Sequence, residues 1–119
     1  MSDSMLIDWE KSIELADHDA ELALDILILT ARSLPEDMQE ITDAVKNEDE
    51  REMRRLLHKL EGGISYVKLP VLEAATLALH KAVIDSETNK FDELHNQLQI
   101  ALTKTVVAVQ EKIAELERS

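Results

Sequence analysis

Apolar residues along this chain recur at three- and four-residue spacing, and the runs they form predict helices. Trp9 and Ile13 mark a short helix from Asp8 to Ala16. Asp17 or Asp19 is placed to cap a second, from Ala20 to Arg32. Pro35 suits the first turn of a continuation to Lys46, in which Met38, Ile41 and Val45 share a side. The pattern leaves open whether 20–46 is one kinked helix or two. Asp49 with Glu52 is a capping-box-like start for a helix from Glu50 to Val67, and Pro70 opens another to Ile84, carrying Leu72, Ala75, Leu79 and Val83. After a turn at 85–89, Leu94, Leu98, Leu102, Val109, Ile113 and Leu116 form the stripe of a helix from Phe91 to Glu117, roughly 40 Å long. Short connections between such helices predict an all-α, up-and-down bundle.

Composition agrees with this reading and narrows the chemistry. The 119 residues fit a single domain, 1–119, and 45% hydrophobic content supports a core. Two glycines, two prolines and 3% aromatics are few for strands and tight turns. With no cysteine, disulfides, thiolate metal sites and a Cys nucleophile are excluded. The start, Met1 to Met5, lacks signal-peptide features, and the apolar run Ile26–Leu29 is too short to span a bilayer. A soluble, cytoplasmic protein is expected. The net charge of −12 repels nucleic acid and anionic membranes, so the expected partner is a protein.

The helix 50–67 carries the anomaly. On a wheel, Met53, Leu56, Leu57, Leu60, Ile64 and Val67 face the core, and His58 points about 150° away from them. Its helical neighbours are Arg54, Arg55, Gly62 and Ser65, with Arg51 and Lys59 flanking. Both glycines of the chain stand here, as Gly62-Gly63. Gly62 suits a helix end, yet Ile64 and Val67 keep the stripe in register, which favours continuation. In a continuing helix, Gly62 bares the flank of the imidazole and admits another backbone. The arginines have a plainer reading as surface ion pairs, Glu50 to Arg54 and Glu52 to Arg55. Beside an exposed imidazole they also favour its neutral form and offset the charge of an arriving phosphoryl group. A neutral imidazole with a free Nε2 lone pair is a competent phosphoryl acceptor, since imidazole ordinarily titrates near ~6.5.

His58-Lys59-Leu60-Glu61-Gly62 resembles the H-x-L-K-G core of histidine phosphotransfer (HPt) domains, and Ser65-Tyr66 with Pro70 and Leu72 extends the likeness to the module of BarA-type hybrid sensor kinases. The resemblance implies an antiparallel four-helix bundle with an accessory N-terminal helix. It implies that His58 accepts a phosphoryl group from a receiver-domain aspartyl phosphate and passes it to a response-regulator Asp. Arg54, Arg55, Lys59, Gly62 and Ser65 are the candidate supporting or partner-contacting residues. The partners implied are receiver domains and a hybrid sensor kinase. No cofactor and no autonomous kinase activity are expected in the domain itself, with Mg²⁺ belonging to the receiver. Two positions depart from the pattern: Glu61 replaces the usual Lys, and Lys68 replaces a second glycine.

The remaining histidines are weaker candidates. His80 is expected on an exposed polar flank, with Ile84 where a phosphoacceptor would have a small residue; His95 is expected at a core boundary and His18 near a solvated helix start. No Glu-x-x-His pair favours a di-metal bundle. A non-catalytic helical adaptor, or an HPt-like module that binds receivers without transfer, is the rival reading. For docking, the second helix offers two apolar faces, one with Leu22, Ile26 and Leu29, the other with Ala23, Leu24, Leu27 and Leu34. Either this helix lies deep, or part of the second face stays exposed beside His58. HPt domains dock receivers on an apolar patch around the histidine, so the resemblance favours exposure, with Leu24 and Leu27 as candidates.

Overall fold

The computed structural model describes residues 5–118; the first four residues of the segment without signal-peptide features, and Ser119, lie outside the described residues. The chain folds into α1 (Trp9–Leu15), α2 (Ala20–Lys46), α3 (Glu50–Gly63), α4 (Pro70–Ile84) and α5 (Phe91–Arg118), with 3₁₀ turns at Ile64–Tyr66 and Thr88–Lys90. Helices α2 to α5 form a closed ring of neighbours, α2 against α3, α3 against α4, α4 against α5 and α5 against α2, while α1 packs on α2. This is the antiparallel four-helix bundle with an accessory N-terminal helix.

The starts of the helices follow their sequence signals. Asp8, Asp19 and Asp49 each accept a hydrogen bond from the backbone N–H three residues on, at 3.0, 3.1 and 3.1 Å, satisfying donors that a helix leaves orphaned. Asp17 cannot cap α2 because it turns the chain in the left-handed region, with φ 60°, and exposed His18 follows at φ 63°. Pro70 stands in the first turn of α4.

Helix α2 runs unbroken for 27 residues through Pro35. A proline in a helix interior removes one N–H and crowds the preceding turn, a cost of about 3 kcal/mol. Leu27, Leu34 and Ile41 are almost completely buried, and each such side chain contributes about 1.5–3 kcal/mol. Packing on both sides of Pro35 therefore outweighs its local cost. The core gathers these with Met53, Leu57, Leu60, Leu72, Leu79, Leu98 and Val109. No described helix is long and apolar enough to cross a membrane.

Candidate functional site

Helix α3 sets the site through the division of its two faces. Met53, Leu56, Leu57 and Leu60 are buried, so the opposite face carries exposed Arg51, Arg54, Arg55, His58, Lys59 and Gly62. The helix continues through both glycines: Gly63 has φ −63° and ψ −37°, and neither glycine has positive φ. Gly62 is therefore not a left-handed cap. The chain tightens into the 3₁₀ turn at Ile64, so the α-helix stops short of Val67, although buried Ile64 and Val67 keep the stripe in place. A Cβ placed at Gly62 would meet nothing within 4 Å. The space beside His58 is open.

The basic residues around His58 are not equivalent. Arg55 is held by Glu52 in a two-pronged bond of 2.7 and 2.8 Å; that bond raises the guanidinium's proton affinity and holds the Glu52 carboxyl below its ordinary range. Lys59 reaches across to Glu40 of α2 at 3.8 Å. Next to it burial pushes the Asp37 carboxyl up, against the opposing pull of Lys59. Arg54, one turn before His58, has no ion-pair partner among the described residues, and the spaced Glu50–Arg54 pair does not form. Ser65 is exposed, but its hydroxyl donates to the Gly62 carbonyl at 2.7 Å and closes the end of α3. Arg54 and Arg51 are thus the cations of this face without an ion-pair partner among the described residues, and Arg54 is the nearer to His58 along the helix.

His80 departs from expectation. It is not on an exposed flank: its side chain is 12% exposed, its Nδ1 contacts the Glu61 carboxylate, and its ring lies 6.3 Å from that of His58, tilted by 55°. The α3–α4 seam therefore brings together two imidazoles and a carboxylate that lie 22 residues apart at most. The wheel of a single helix does not reveal such a pairing; the unusual Glu61 was the only signal in the sequence. Leu77 and Ile84, at the helical neighbours of His80, are 47% and 53% exposed, apolar surface that the α4 stripe of Leu72, Ala75, Leu79 and Val83 does not include.

The docking candidates on α2 require correction. Leu27 is fully buried and belongs to the core. Leu24 is half-buried and lies roughly 24 Å along α2 from Glu40, which marks the level of Lys59. Of the two apolar faces, the one with Ala23, Leu27 and Leu34 turns inward, and Leu22 and Leu29 on the other remain exposed. The reason is the ring topology: α2 must serve both α3 and α5.

His95 sits at a core boundary, as expected. Its Nε2 is 3.0 Å from the Thr42 hydroxyl, and burial lowers its proton affinity, with Asp92 opposing and Lys46 adding to the effect. Among the described residues, no group of three or more His, Asp or Glu side chains is placed to hold a metal ion.

The family model described as Hpt domain matches residues 25–118. Among solved structures, the chain is similar to the HPT domain of a sensor hybrid histidine kinase from Shewanella, at 25% identity and a TM-score of 0.84, covering 92% of this chain and 95% of that one. Histidine-containing phosphotransfer protein B from Pseudomonas aeruginosa matches at 14% identity and a TM-score of 0.81, covering 92% and 96%. No curated protein sequence matches the chain.

Proposed function

The chain belongs to the Hpt domain family, and from that premise we propose that His58 is the phosphoryl-carrying residue of a phosphorelay in two-component signalling. The observation that carries this is positional. His58 is the exposed imidazole on the polar face of α3, with open space at Gly62 and an uncommitted cation at Arg54. His95 has its Nε2 against Thr42 and His80 has its Nδ1 against Glu61.

The step is a displacement at phosphorus. The Nε2 lone pair of neutral His58 attacks the aspartyl phosphate of a receiver domain. As the P–N bond forms, the P–O bond breaks and the Asp carboxylate leaves with its electron pair. The imidazole keeps its Nδ1 proton, and reversal onto a second receiver's Asp completes the relay. Arg54 offsets phosphoryl charge, while Gly62 admits the receiver's backbone and Lys59, Arg55 and Ser65 border the contact. Leu77 and Ile84, one turn to either side of His80 on α4, supply exposed apolar surface, and because the His80 ring neighbours that of His58 they are a better docking candidate than Leu24 or Leu27. We take residues 1–119 as one cytoplasmic module that needs no cofactor and has no kinase activity of its own. The Mg²⁺ required belongs to the receiver, and a hybrid sensor kinase is the upstream source.

The decisive experiment mixes the protein with a panel of phosphorylated receivers. An acid-labile, alkali-stable label is expected on the native chain and none on His58→Gln. Full labelling of that variant would remove His58 from the role. Receiver binding without any label would instead support a docking module that does not transfer.

A further inference from the structure

Glu61 poses a physical difficulty for a phosphoryl carrier. It lies one turn after His58 on the same helix, at the i+3 spacing that brings side chains together. A phosphoryl group carries almost two negative charges. A free carboxylate about 6 Å away would oppose its arrival by roughly tenfold, even with the screening of water.

The carboxylate is not free. Most ion pairs of this molecule form within one helix or its flanking turn, such as Glu52–Arg55, Glu87–Lys90 and Lys81–Asp85. Glu61 instead crosses the seam to α4 and meets Nδ1 of His80, and its side chain is only 27% exposed. Among the described residues no lysine or arginine pairs with Glu61: Lys59 turns to Glu40 and Arg55 to Glu52. A carboxylate can only accept, so the His80 Nδ1–H donates. The His80 ring lies beside that of His58.

We propose that His80 is a positioning residue for the His58 reaction: its Nδ1–H holds the Glu61 carboxylate on the α3–α4 seam and keeps that anion away from the phosphoryl group arriving at His58. The inference rests on His58 being the phosphoacceptor. His80 itself forms no bond to phosphorus, and its effect passes through Glu61.

The test is a double-substitution cycle in which the rate of phosphoryl transfer from a receiver is followed beside the helical signal. His80→Phe keeps the ring's bulk, removes the donor and releases Glu61; transfer slows about tenfold. Glu61→Gln removes the charge, and on that background His80→Phe changes the rate by less than roughly twofold. His80→Asn, whose amide nitrogen stands close to the place of Nδ1, transfers at near the native rate. Should His80→Phe fail to fold, Glu61→Asp and Glu61→Asn give a second arm. The shorter carboxylate cannot reach His80 and transfers about tenfold more slowly than the neutral amide. Equal slowing by His80→Phe with and without Glu61, or no slowing at all, overturns the proposal, as does parity of Glu61→Asp with Glu61→Asn. Absence of label on the native chain, or label on His58→Gln, is a separate result that overturns the reading of His58 itself.

Discussion

The α3–α4 edge and the α2–α5 seam each present an imidazole near a side chain of a neighbouring helix, and they make opposite use of it. On the edge, His58 faces solvent with a bare glycine one turn on and an unpaired arginine one turn back. In the seam, His95 is half-buried, Nε2 is occupied by Thr42, and burial disfavours its charged form. Under the proposed function the same ring serves as a nucleophile in one place and is a packing element in the other. What differs is access to a lone pair and the cost of charge around it, not the residue type.

This contrast breaks most visibly at Leu27. If the α2 core is support and the α3–α4 edge is the working surface, Leu27→Ala costs about 2–5 kcal/mol of stability. It should leave transfer per folded molecule unchanged. Denaturant unfolding beside receiver-dependent labelling checks both halves, and a loss of transfer at full stability would return Leu27 to the docking surface.

Gly62→Leu should show the reverse pattern. A Cβ at that position has nothing within 4 Å and the site is exposed, so stability should change by at most about 1 kcal/mol, with replacement of a helical glycine acting favourably. Transfer slows by about tenfold or more, the factor that ~1.4 kcal/mol of lost approach represents. Native-like transfer would show that no receiver backbone comes close there.

Arg54→Ala is a smaller probe of the same edge. An exposed cation one turn from His58 should accelerate transfer only about threefold, and added salt should erase the difference. The same substitution at Arg55, already held by Glu52, should have less effect.

The smallest effect belongs to the seam. The folded His95 has a lowered proton affinity, so its contribution is present above imidazole's ordinary value of about 6.5 and fades as pH falls through the lower folded value. Melting temperatures recorded from neutral to mildly acidic pH should decline a little more steeply for the native chain than for His95→Gln. Parallel curves would mean that His95 titrates as it does in the unfolded chain.

The helices and the face of His58 were legible because both depend on periodicity within one segment. Asp8, Asp49 and Pro70 announce their helix starts by local hydrogen bonding and fixed φ, and the α3 stripe separates His58 from Leu57 unambiguously. The rotation of α2 was not legible. It has two apolar faces, and only its position between α3 and α5 decides that Leu27 goes in while Leu29 stays out. Unbroken passage through Pro35 was undecidable for a similar reason, since tertiary burial overrides the local penalty. The meeting of Glu61 with His80 lay beyond any single-helix pattern, because it depends on how α3 and α4 are registered.

One small contact has a consequence for how the molecule opens. The Asp8 N–H donates to the Lys68 carbonyl and the Lys68 N–H donates to the Ser12 hydroxyl, both at 2.9 Å, with Ser12 fully buried. The segment that follows the last turn of α3 is thereby clasped by a helix some 56 residues earlier in the chain. Contacts of such separation form late and part together, as one cooperative unit. The Asp8 and Lys68 amides should therefore exchange with solvent deuterium at a common rate, and fraying of the first helix would also loosen the end of the helix that bears His58.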